Sequence, residues 1–551
     1  MAEVTFTSIT ISRLFDWFDR RCLAVPEIQR EFVWNAQRAC DLLDSIYKGY
    51  PIGTALIWRT KKGNSSLLRH TLHLLPPFDS TQNREILFLI DGQQRLSVLH
   101  QVRRGESIYN SNRRQIRFGD IYFSLGQDEN YFLYLRKPDP QLHFKVSIIL
   151  SDRWQQAFRR LPAYKRKQIK ECRQQLLRYK LLIVFTKTNE LADVRETFIR
   201  INTQGMRISE ADRAFTTASR VKPLHRFRQL CQTLPHGYGS LDKAVYWTSL
   251  VLARGIKDLG QNAFARLTRD IDRNEEASLW FERHEPKVQE SIKLACDYLV
   301  HRLHVFDFRL LPYENMIAML AVFFYWNNRA QPTRHQREQI RRWFWHTGVL
   351  KRYAGSGYRR NILDDAEFFE RLGQTRKGRY PVSARAPADT LVNEDYRGSS
   401  ALSRAVQLLL AHSKPRYITN GEEMPLGAVA SARNAKELHH IWPRDLLKRN
   451  GISPKRVNAL CNICYLVAHD NRSFGSKKPR HYLDEFRQRK HFSKAMRSHL
   501  IPYDANSPLW EERVKLGFRG FIDLRRRLIQ NALNKAAGVK LFEPERRSHA
   551  I

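Results

Sequence analysis

Two adjacent histidines, His439 and His440, are the residues of this sequence best suited to chemistry, and Ile441, Trp442 and Pro443 follow them. A neutral imidazole can act as a general base toward water, and an imidazole can also bind a divalent metal that holds a phosphate group. Because neighbouring residues of a strand point to opposite faces, both side chains reach one site only at a strand end or a bulge. The pair therefore predicts a strand end at which one histidine binds a metal and its neighbour acts as the general base.

The residues downstream supply the remaining parts of such a site. The stretch LCNICYLVAH (460–469) has the alternation of a strand, and DNRSFGSKKP (470–479) predicts a loop that leads into a helix near Pro479. Asn462 lies in the predicted strand and Asn471 in the loop. A histidine pair alone is often incidental, but this order of elements predicts a ββα metal site that hydrolyses phosphodiesters.

The pattern resembles the HNH, or His-Me finger, endonuclease motif. The resemblance implies that His439 and Asn471 bind the metal, that His440 is the general base, and that Asn462 orients the loop carrying the base. Many members of that family have a carboxylate at the position of His439, which suits Mg²⁺. An imidazole there shifts the preference toward Mn²⁺ or another transition metal. We expect a divalent metal, with Mg²⁺ first because it is abundant.

A second candidate site lies in ILFLIDGQQRLSVLH (86–100), which predicts a buried strand that runs into a helix. Asp91 can cap the helix and Gly92 permits a tight turn. Gln93 and Arg95 then lie in the first helical turn, where free N–H groups and the helix dipole favour anions. This arrangement suits a phosphate or a nucleotide, and an ordinary helix start is the alternative.

Two further stretches, 25–53 and 198–212, accompany that segment. Together the three resemble the DGQQR-motif N-terminal domain of GmrSD-type modification-dependent (type IV) restriction proteins, which is similar in fold to the ParB and sulfiredoxin group. The resemblance covers about residues 8–215, and the nuclease half of those proteins resembles residues 400–535. It implies a nucleoside triphosphate site drawn from Gln29, Arg30, Asp91, Gly92, Gln93, Arg95, Asn202 and Gly205. For 198–212, the alternative is a loop that only ends one helix and begins the next.

The charge balance favours a polyanionic partner. The sequence has 94 Lys and Arg residues against 55 Asp and Glu residues, a net charge of +39, and each neutralised phosphate releases counterions. A generally basic proteome is the alternative. No signal peptide and no apolar run long enough to span a membrane are predicted. Seven scattered cysteines indicate a reducing compartment, so we expect a cytoplasmic protein.

Basic and aromatic residues alternate in the segment 341–360. Such a segment can follow a nucleic-acid backbone and stack a base, and a buried aromatic helix face is the alternative. The predicted DNA contacts are Trp343, Trp345, Arg359 and Arg360 in this segment, together with Lys477 and Lys478 in the loop at 470–479 of the histidine site.

The predicted fold class is α+β in several domains. The resemblances imply a ParB/sulfiredoxin-like mixed domain at 1–215 and an HNH-like ββα-metal domain with flanking helices at 401–551. Periodicity predicts strands near 54–59, 86–90 and 181–185 and an all-α middle region at 216–375. Residues 376–400, rich in Gly, Pro and Ser, are predicted to form a linker.

The resemblances imply a metal-dependent, NTP-responsive DNA endonuclease that restricts foreign or modified phage DNA. The alternatives are a nucleotide-gated regulator with an inactive nuclease site and a metal-dependent RNase. One HNH-type site cuts one strand at a time, so a double-strand break would need a homo-oligomer or sequential nicks.

Overall fold

The computed structural model describes residues 3–26, 32–61, 74–81, 83, 85–109, 115–126, 130–152, 154–159, 161–187, 210–217, 221, 223–260, 262–382, 384–425, 438–466 and 474–544. The chain divides into two compact units, Met1–Thr217 and Ala218–Ile551. The first boundary lies beside the one predicted at residue 215.

The first unit is a mixed α/β structure. Its strands are β1 (Glu3–Thr10), β2 (Leu23–Ala24), β3 (Thr54–Lys61), β4 (Glu85–Asp91), β5 (Ser107–Tyr109), β6 (Gln115–Arg117), β7 (Ile121–Ser124), β8 (Phe132–Tyr134), β9 (His143–Lys145) and β10 (Lys180–Lys187). Its helices are α1 (Ile11–Asp19), α2 (Ala36–Tyr47), α3 (Gln93–Arg104), α4 (Val146–Leu150), α5 (Trp154–Arg159), α6 (Ala163–Arg178) and α7 (Glu210–Thr217).

Five strands form the main sheet in the order β1-β10-β3-β4-β2. β1 is antiparallel to β10, β10 is parallel to β3, β3 is antiparallel to β4, and β2 is parallel to β4. The apolar residues of α1, at Ile11, Leu14, Phe15 and Phe18, recur at helical spacing and enter the core of this unit. A register shift between Leu56 and Ile57 places Leu56 opposite Asp91, so the start of β3 lies beside the turn that leads into α3.

The second unit begins with helices. They are α8 (Pro223–Thr233), α9 (Lys243–Ala253), α10 (Ala263–Arg273), α11 (Glu275–His301), α12 (Asn315–Trp326), α13 (Arg334–Val349), α14 (Tyr358–Thr375), α15 (Thr390–Asn393) and α16 (Ala401–His412). These helices agree with the all-α character predicted for 216–375. In the described residues of both units, no helix combines the length and the apolar character needed to cross a bilayer.

The rest of this unit combines a two-stranded ribbon with helices. The elements are β11 (Leu438–His440), α17 (Arg444–Arg449), α18 (Pro454–Val457), β12 (Ile463–Tyr465), α19 (Pro479–Arg487), α20 (Phe492–Ser498) and α21 (Val514–Ala537). β11 and β12 pair antiparallel. With the mixed sheet of the first unit, the fold class is α+β.

The predicted linker at 376–400 is wrong. Tyr380 and Leu391 are buried, and Ala386 forms a parallel bridge with Phe542. The Ala386 N–H donates to the Leu541 carbonyl at 2.8 Å. Burial of apolar side chains overrides the Gly, Pro and Ser content of this segment.

The separation of the middle region from a C-terminal domain is also corrected. The long helix α21 packs against both α13 and α16. Because helices from the two predicted domains share these contacts, residues 218–551 form a single unit.

Candidate active site

The two histidines lie at the end of the ribbon. His439 pairs with Cys464 and His440 with Ile463, and β11 ends at His440. Both side chains are half-buried and line one cavity of about 320 Å³. The other residues that line it are Pro443, Arg444, Asp445, Leu466, Phe474, Gly475, Ser476 and Tyr482. The strand end thus brings both imidazoles to one cavity.

A hydrogen bond fixes the tautomer of His440. Its Nε2 atom lies 3.0 Å from Oδ1 of Asn458. A carboxamide oxygen can only accept, so Nε2 carries the hydrogen and Nδ1 keeps its lone pair. Burial lowers the pKa of His440, the charge of Arg444 lowers it further, and the bond to Asn458 opposes this shift. His440 is therefore neutral near pH 7, the form that a general base requires.

Asn458 is a site residue that the sequence reasoning missed. It follows α18 directly, and its carbonyl accepts from the Tyr396 N–H at 2.8 Å. A third asparagine, four residues before Asn462, was the available sequence signal, but spacing alone does not show that its amide reaches back across the ribbon.

Asn462 is fully buried behind the histidines and does not line the cavity. Its Oδ1 accepts from the Trp442 N–H at 2.9 Å, and its Nδ2 donates to the carbonyls of Trp442 at 3.1 Å and Val457 at 3.0 Å. Tyr482 donates to the Ile441 carbonyl at 2.6 Å. Asn462 therefore holds the main chain that follows His440, which is the geometry of a positioning residue.

The donor set for a metal is only partly described. His439 lines the cavity and offers an imidazole, whereas Asn471 lies outside the described residues. Within the described ranges, no group of three or more His, Cys, Asp or Glu side chains could hold a metal ion. One imidazole and one amide oxygen, completed by water and phosphate oxygens, fit Mn²⁺ or Mg²⁺.

The prediction that two tryptophans stack on DNA is wrong. Trp343 is 0% exposed and Trp345 is 2% exposed on α13. The indole of Trp343 donates to the buried carboxylate of Asp365 at 3.0 Å. The aromatic face of α13 is part of the core, so it cannot contact a nucleic acid.

The other predicted DNA contacts are at the surface. Arg359 and Arg360 are exposed on α14, and Arg360 pairs with Asp364 at 2.9 Å. Lys477 is exposed beside the cavity residue Ser476. The ammonium group of Lys478 already pairs with a carboxylate, that of Glu512 at 2.7 Å.

In the first unit, Asp91 does not cap α3 as predicted. The cap residue is Gly92 at φ 93°, and it provides no side-chain hydrogen bond. The Asp91 carboxylate instead accepts from Arg95 at 3.1 Å. The guanidinium of Arg95 also donates to the carbonyls of Ile52 and, at 2.7 Å, Thr54. These bonds commit Arg95 to holding the turn before β3 rather than to a free phosphate contact.

The carboxamide of Gln93 is buried without a hydrogen bond. The side chain is 3% exposed, and within the described residues neither Oε1 nor Nε2 has a hydrogen-bond partner. A buried polar group without a partner costs about 1–3 kcal/mol, so a carboxamide kept in this state suits a ligand. Four predicted nucleotide contacts lie outside the described residues, namely Gln29, Arg30, Asn202 and Gly205.

Two comparisons with known proteins show what the chain is similar to. Residues 11–216 match the family model of the GmrSD restriction endonuclease N-terminal domain. The first unit is thus similar to the N-terminal domain of GmrSD restriction endonucleases. The chain is also similar to the uncharacterized protein MJ0686 of Methanocaldococcus jannaschii, with 20% identity over 579 aligned residues. That alignment covers 92% of this chain and 95% of the relative, so it extends over both units.

Proposed function

We propose that the protein is a metal-dependent DNA endonuclease of the HNH type that restricts foreign or modified DNA in response to a nucleoside triphosphate. The observation that carries this proposal is the cavity at the ribbon end. There a neutral imidazole with a fixed tautomer, His440, lies beside a second imidazole, His439. The match of the first unit to a restriction endonuclease domain supports DNA as the substrate.

The proposed reaction is hydrolysis by an activated water. Nδ1 of His440 takes a proton from the water while the water oxygen attacks phosphorus. A P–O bond forms, the bond to the leaving sugar oxygen breaks, that oxygen takes a proton from solvent water, and the His440 imidazolium then releases its proton to solvent. Because water is the nucleophile, no covalent enzyme intermediate arises.

His439 and Asn471 are the residues that would hold the metal. When bound, a divalent ion stabilises negative charge on the leaving oxygen. Asn462 acts behind the site through its bonds to Trp442, and Asn458 acts through the tautomer of His440. Both are positioning residues in this proposal.

The nucleotide site is proposed for the turn at Asp91–Gly92 and the start of α3. The unpartnered carboxamide of Gln93 is the evidence for this site. Arg95 stabilises the turn through its hydrogen bonds to Thr54 and Asp91. A site assembled from Gln29, Arg30, Asn202 and Gly205 around this turn would join three distant stretches of the first unit. A ParB/sulfiredoxin-like fold is compatible with its mixed sheet.

The test is a cleavage assay on the full chain with plasmid, modified phage DNA and RNA. Each substrate is incubated with Mg²⁺ or Mn²⁺, with and without NTP. We expect DNA cleavage that His440→Ala abolishes and that the matched variant His225→Ala, at an exposed residue of α8, leaves intact. Cleavage that survives His440→Ala would refute the assignment, and preferential cleavage of RNA would favour an RNase instead.

A further inference from the structure

The connection between the two ribbon strands carries a cluster of exposed cations. Residues 441–462, between the strands, contain one acidic residue, Asp445, and five Lys or Arg residues. All six side chains are exposed. We name these five residues the basic connection, and they are Arg444, Lys448, Arg449, Lys455 and Arg456. The surface next to the candidate phosphodiesterase cavity therefore carries an excess of positive charge.

The basic connection begins at the cavity itself. Arg444 lines the cavity, and Lys448 lies one turn further along α17, where side chains four residues apart share a face. α17 packs against α18, which carries Lys455 and Arg456. The cations thus extend from the cavity over two adjoining helices.

Buried contacts hold this surface in place. Leu447 and Val457 are 0% exposed beneath the two helices, and the Val457 carbonyl accepts from Asn462 at 3.0 Å. The same asparagine fixes the turn after His440. A shift of the cations relative to the histidines would therefore break bonds that also position the general base.

Little negative charge opposes these cations. Asp445 lies 3.6 Å from Arg444, and both side chains are more than half exposed, so solvent weakens the pair. In the segment that follows the cavity residue Ser476 the arrangement differs, because Glu512 pairs with Lys478 at 2.7 Å and with Arg480 at 3.0 Å and offsets part of their charge. The basic connection therefore offers the larger uncompensated charge to a polyanion.

We propose that the basic connection binds the sugar-phosphate backbone of duplex DNA and guides a strand into the cavity, with Arg444 nearest the phosphate that is cut. This inference rests on the proposed nuclease function and names the surface that serves it. Contacts of this kind are independent of sequence and release counterions, so they determine affinity and its dependence on salt.

The experiment measures DNA binding separately from cleavage. Full-length protein carrying His440→Ala is titrated with a DNA duplex and with single-stranded RNA at several salt concentrations. The test variant adds Lys448→Gln, Lys455→Gln and Arg456→Gln. The control adds Lys257→Gln, Arg283→Gln and Lys293→Gln, which remove the same charge from exposed positions outside the cavity. A further variant exchanges Lys and Arg at the three test positions and keeps the charge.

We expect the test variant to bind duplex DNA on the order of ten-fold more weakly or worse, and the slope of log K against log salt to fall by about three. The control and the charge-preserving variant should keep the slope of the His440→Ala protein. Unchanged affinity and slope in the test variant, an equal loss in the control, or a loss confined to RNA would each overturn the inference.

Cleavage by the wild-type protein distinguishes the failure of the two proposals. If wild type cuts DNA but the test variant binds normally, the inference about the basic connection is wrong and the nuclease proposal stands. If wild type cuts no nucleic acid but the test variant loses duplex binding, the nuclease proposal is wrong and the basic connection remains a duplex-binding surface without a role in cleavage.

Discussion

The Nε2 atom of His440 and the Oδ1 atom of Asn458 lie 3.0 Å apart, and this contact determines which nitrogen of the imidazole can accept a proton. The two residues lie on either side of the α17–α18 connection. His440 ends β11, whereas Asn458 follows α18. The connection that carries the basic surface therefore also orients the general base.

Replacing Asn458 should change the rate and its pH dependence. Asn458→Ala removes the acceptor, and we expect kcat to fall on the order of ten-fold or more, part of the roughly 10²–10⁴-fold effect of a general base. Asn458→Asp keeps an acceptor but adds negative charge, which favours the imidazolium. The acid limb of the pH–rate profile should then move to higher pH, because more of His440 is protonated at a given pH.

The matched control for these variants is Asn450→Ala. The Asn450 side chain donates to the Leu446 carbonyl of its own helix at 2.8 Å, so its loss should leave the pH profile unchanged. An unshifted acid limb in Asn458→Asp would show that Asn458 does not act through His440.

Replacing Asn462 should mainly reduce stability. Asn462→Leu would leave the Trp442 N–H and the carbonyls of Trp442 and Val457 without this partner in a buried place. We expect the free energy of unfolding of the second unit to fall by about 2–4 kcal/mol. Denaturant unfolding followed by tryptophan fluorescence measures this. A loss no larger than that of Asn450→Ala would contradict the positioning role.

The sequence predicted the elements that depend on local pattern. The apolar runs near 54–59, 86–90 and 181–185 lie in β3, β4 and β10, because short runs rich in β-branched and aromatic residues are typical of buried strands. The histidine pair lies at a strand end for the same local reason. The other features depend on tertiary contacts that the local pattern does not show.

Most of the failures depend on contacts outside the local sequence pattern. Trp343 is buried against Asp365 and Phe369 of α14, which its neighbours in the sequence do not reveal. Ala386 is ordered by Phe542, more than a hundred residues later. Asn458 reaches His440 only because the ribbon closes. The order of residues in the sequence cannot specify such pairs. The histidines of the cavity were therefore predictable, whereas the bond from Asn458 to His440 was not.

Gly53 should be more sensitive to substitution than another glycine of the same unit. Gly53 and Gly49 both have a positive φ, at 82° and 74°, so an alanine at either position carries a similar backbone penalty of about 1–2 kcal/mol. A Cβ on Gly53 would lie 2.5 Å from Nη1 of Arg95, whereas one on Gly49 meets nothing within 4 Å.

We therefore expect Gly53→Ala to destabilise the first unit more than Gly49→Ala and to weaken NTP binding, because displaced Arg95 releases the turn at Asp91. Denaturant unfolding and NTP titration of both variants measure these effects. Equal losses in the two variants would mean that Arg95 does not support the proposed nucleotide site.

Buried histidines should make the protein less stable in mild acid. Burial lowers the pKa to about 4 for His100, His346, His412 and His499. Between the unfolded value of about 6.5 and about 4, the unfolded chain binds a proton at each site and the folded protein does not. Each group then removes about 1.4 kcal/mol of stability per pH unit as the pH falls. Glu314 opposes them, because burial raises its pKa to about 7 and the folded protein takes up its proton first.

Three of the four histidines belong to the second unit, so its unfolding midpoint should fall with decreasing pH between 6.5 and 5, where most unfolded carboxylates are still ionised. Denaturant unfolding at half-unit pH steps measures the slope. His412→Gln, which cannot titrate, should flatten it by about 1.4 kcal/mol per pH unit, whereas His225→Gln, at an exposed residue of α8, should not. A slope that His412→Gln leaves unchanged would mean that this imidazole is already protonated in the folded protein, against the burial that surrounds it.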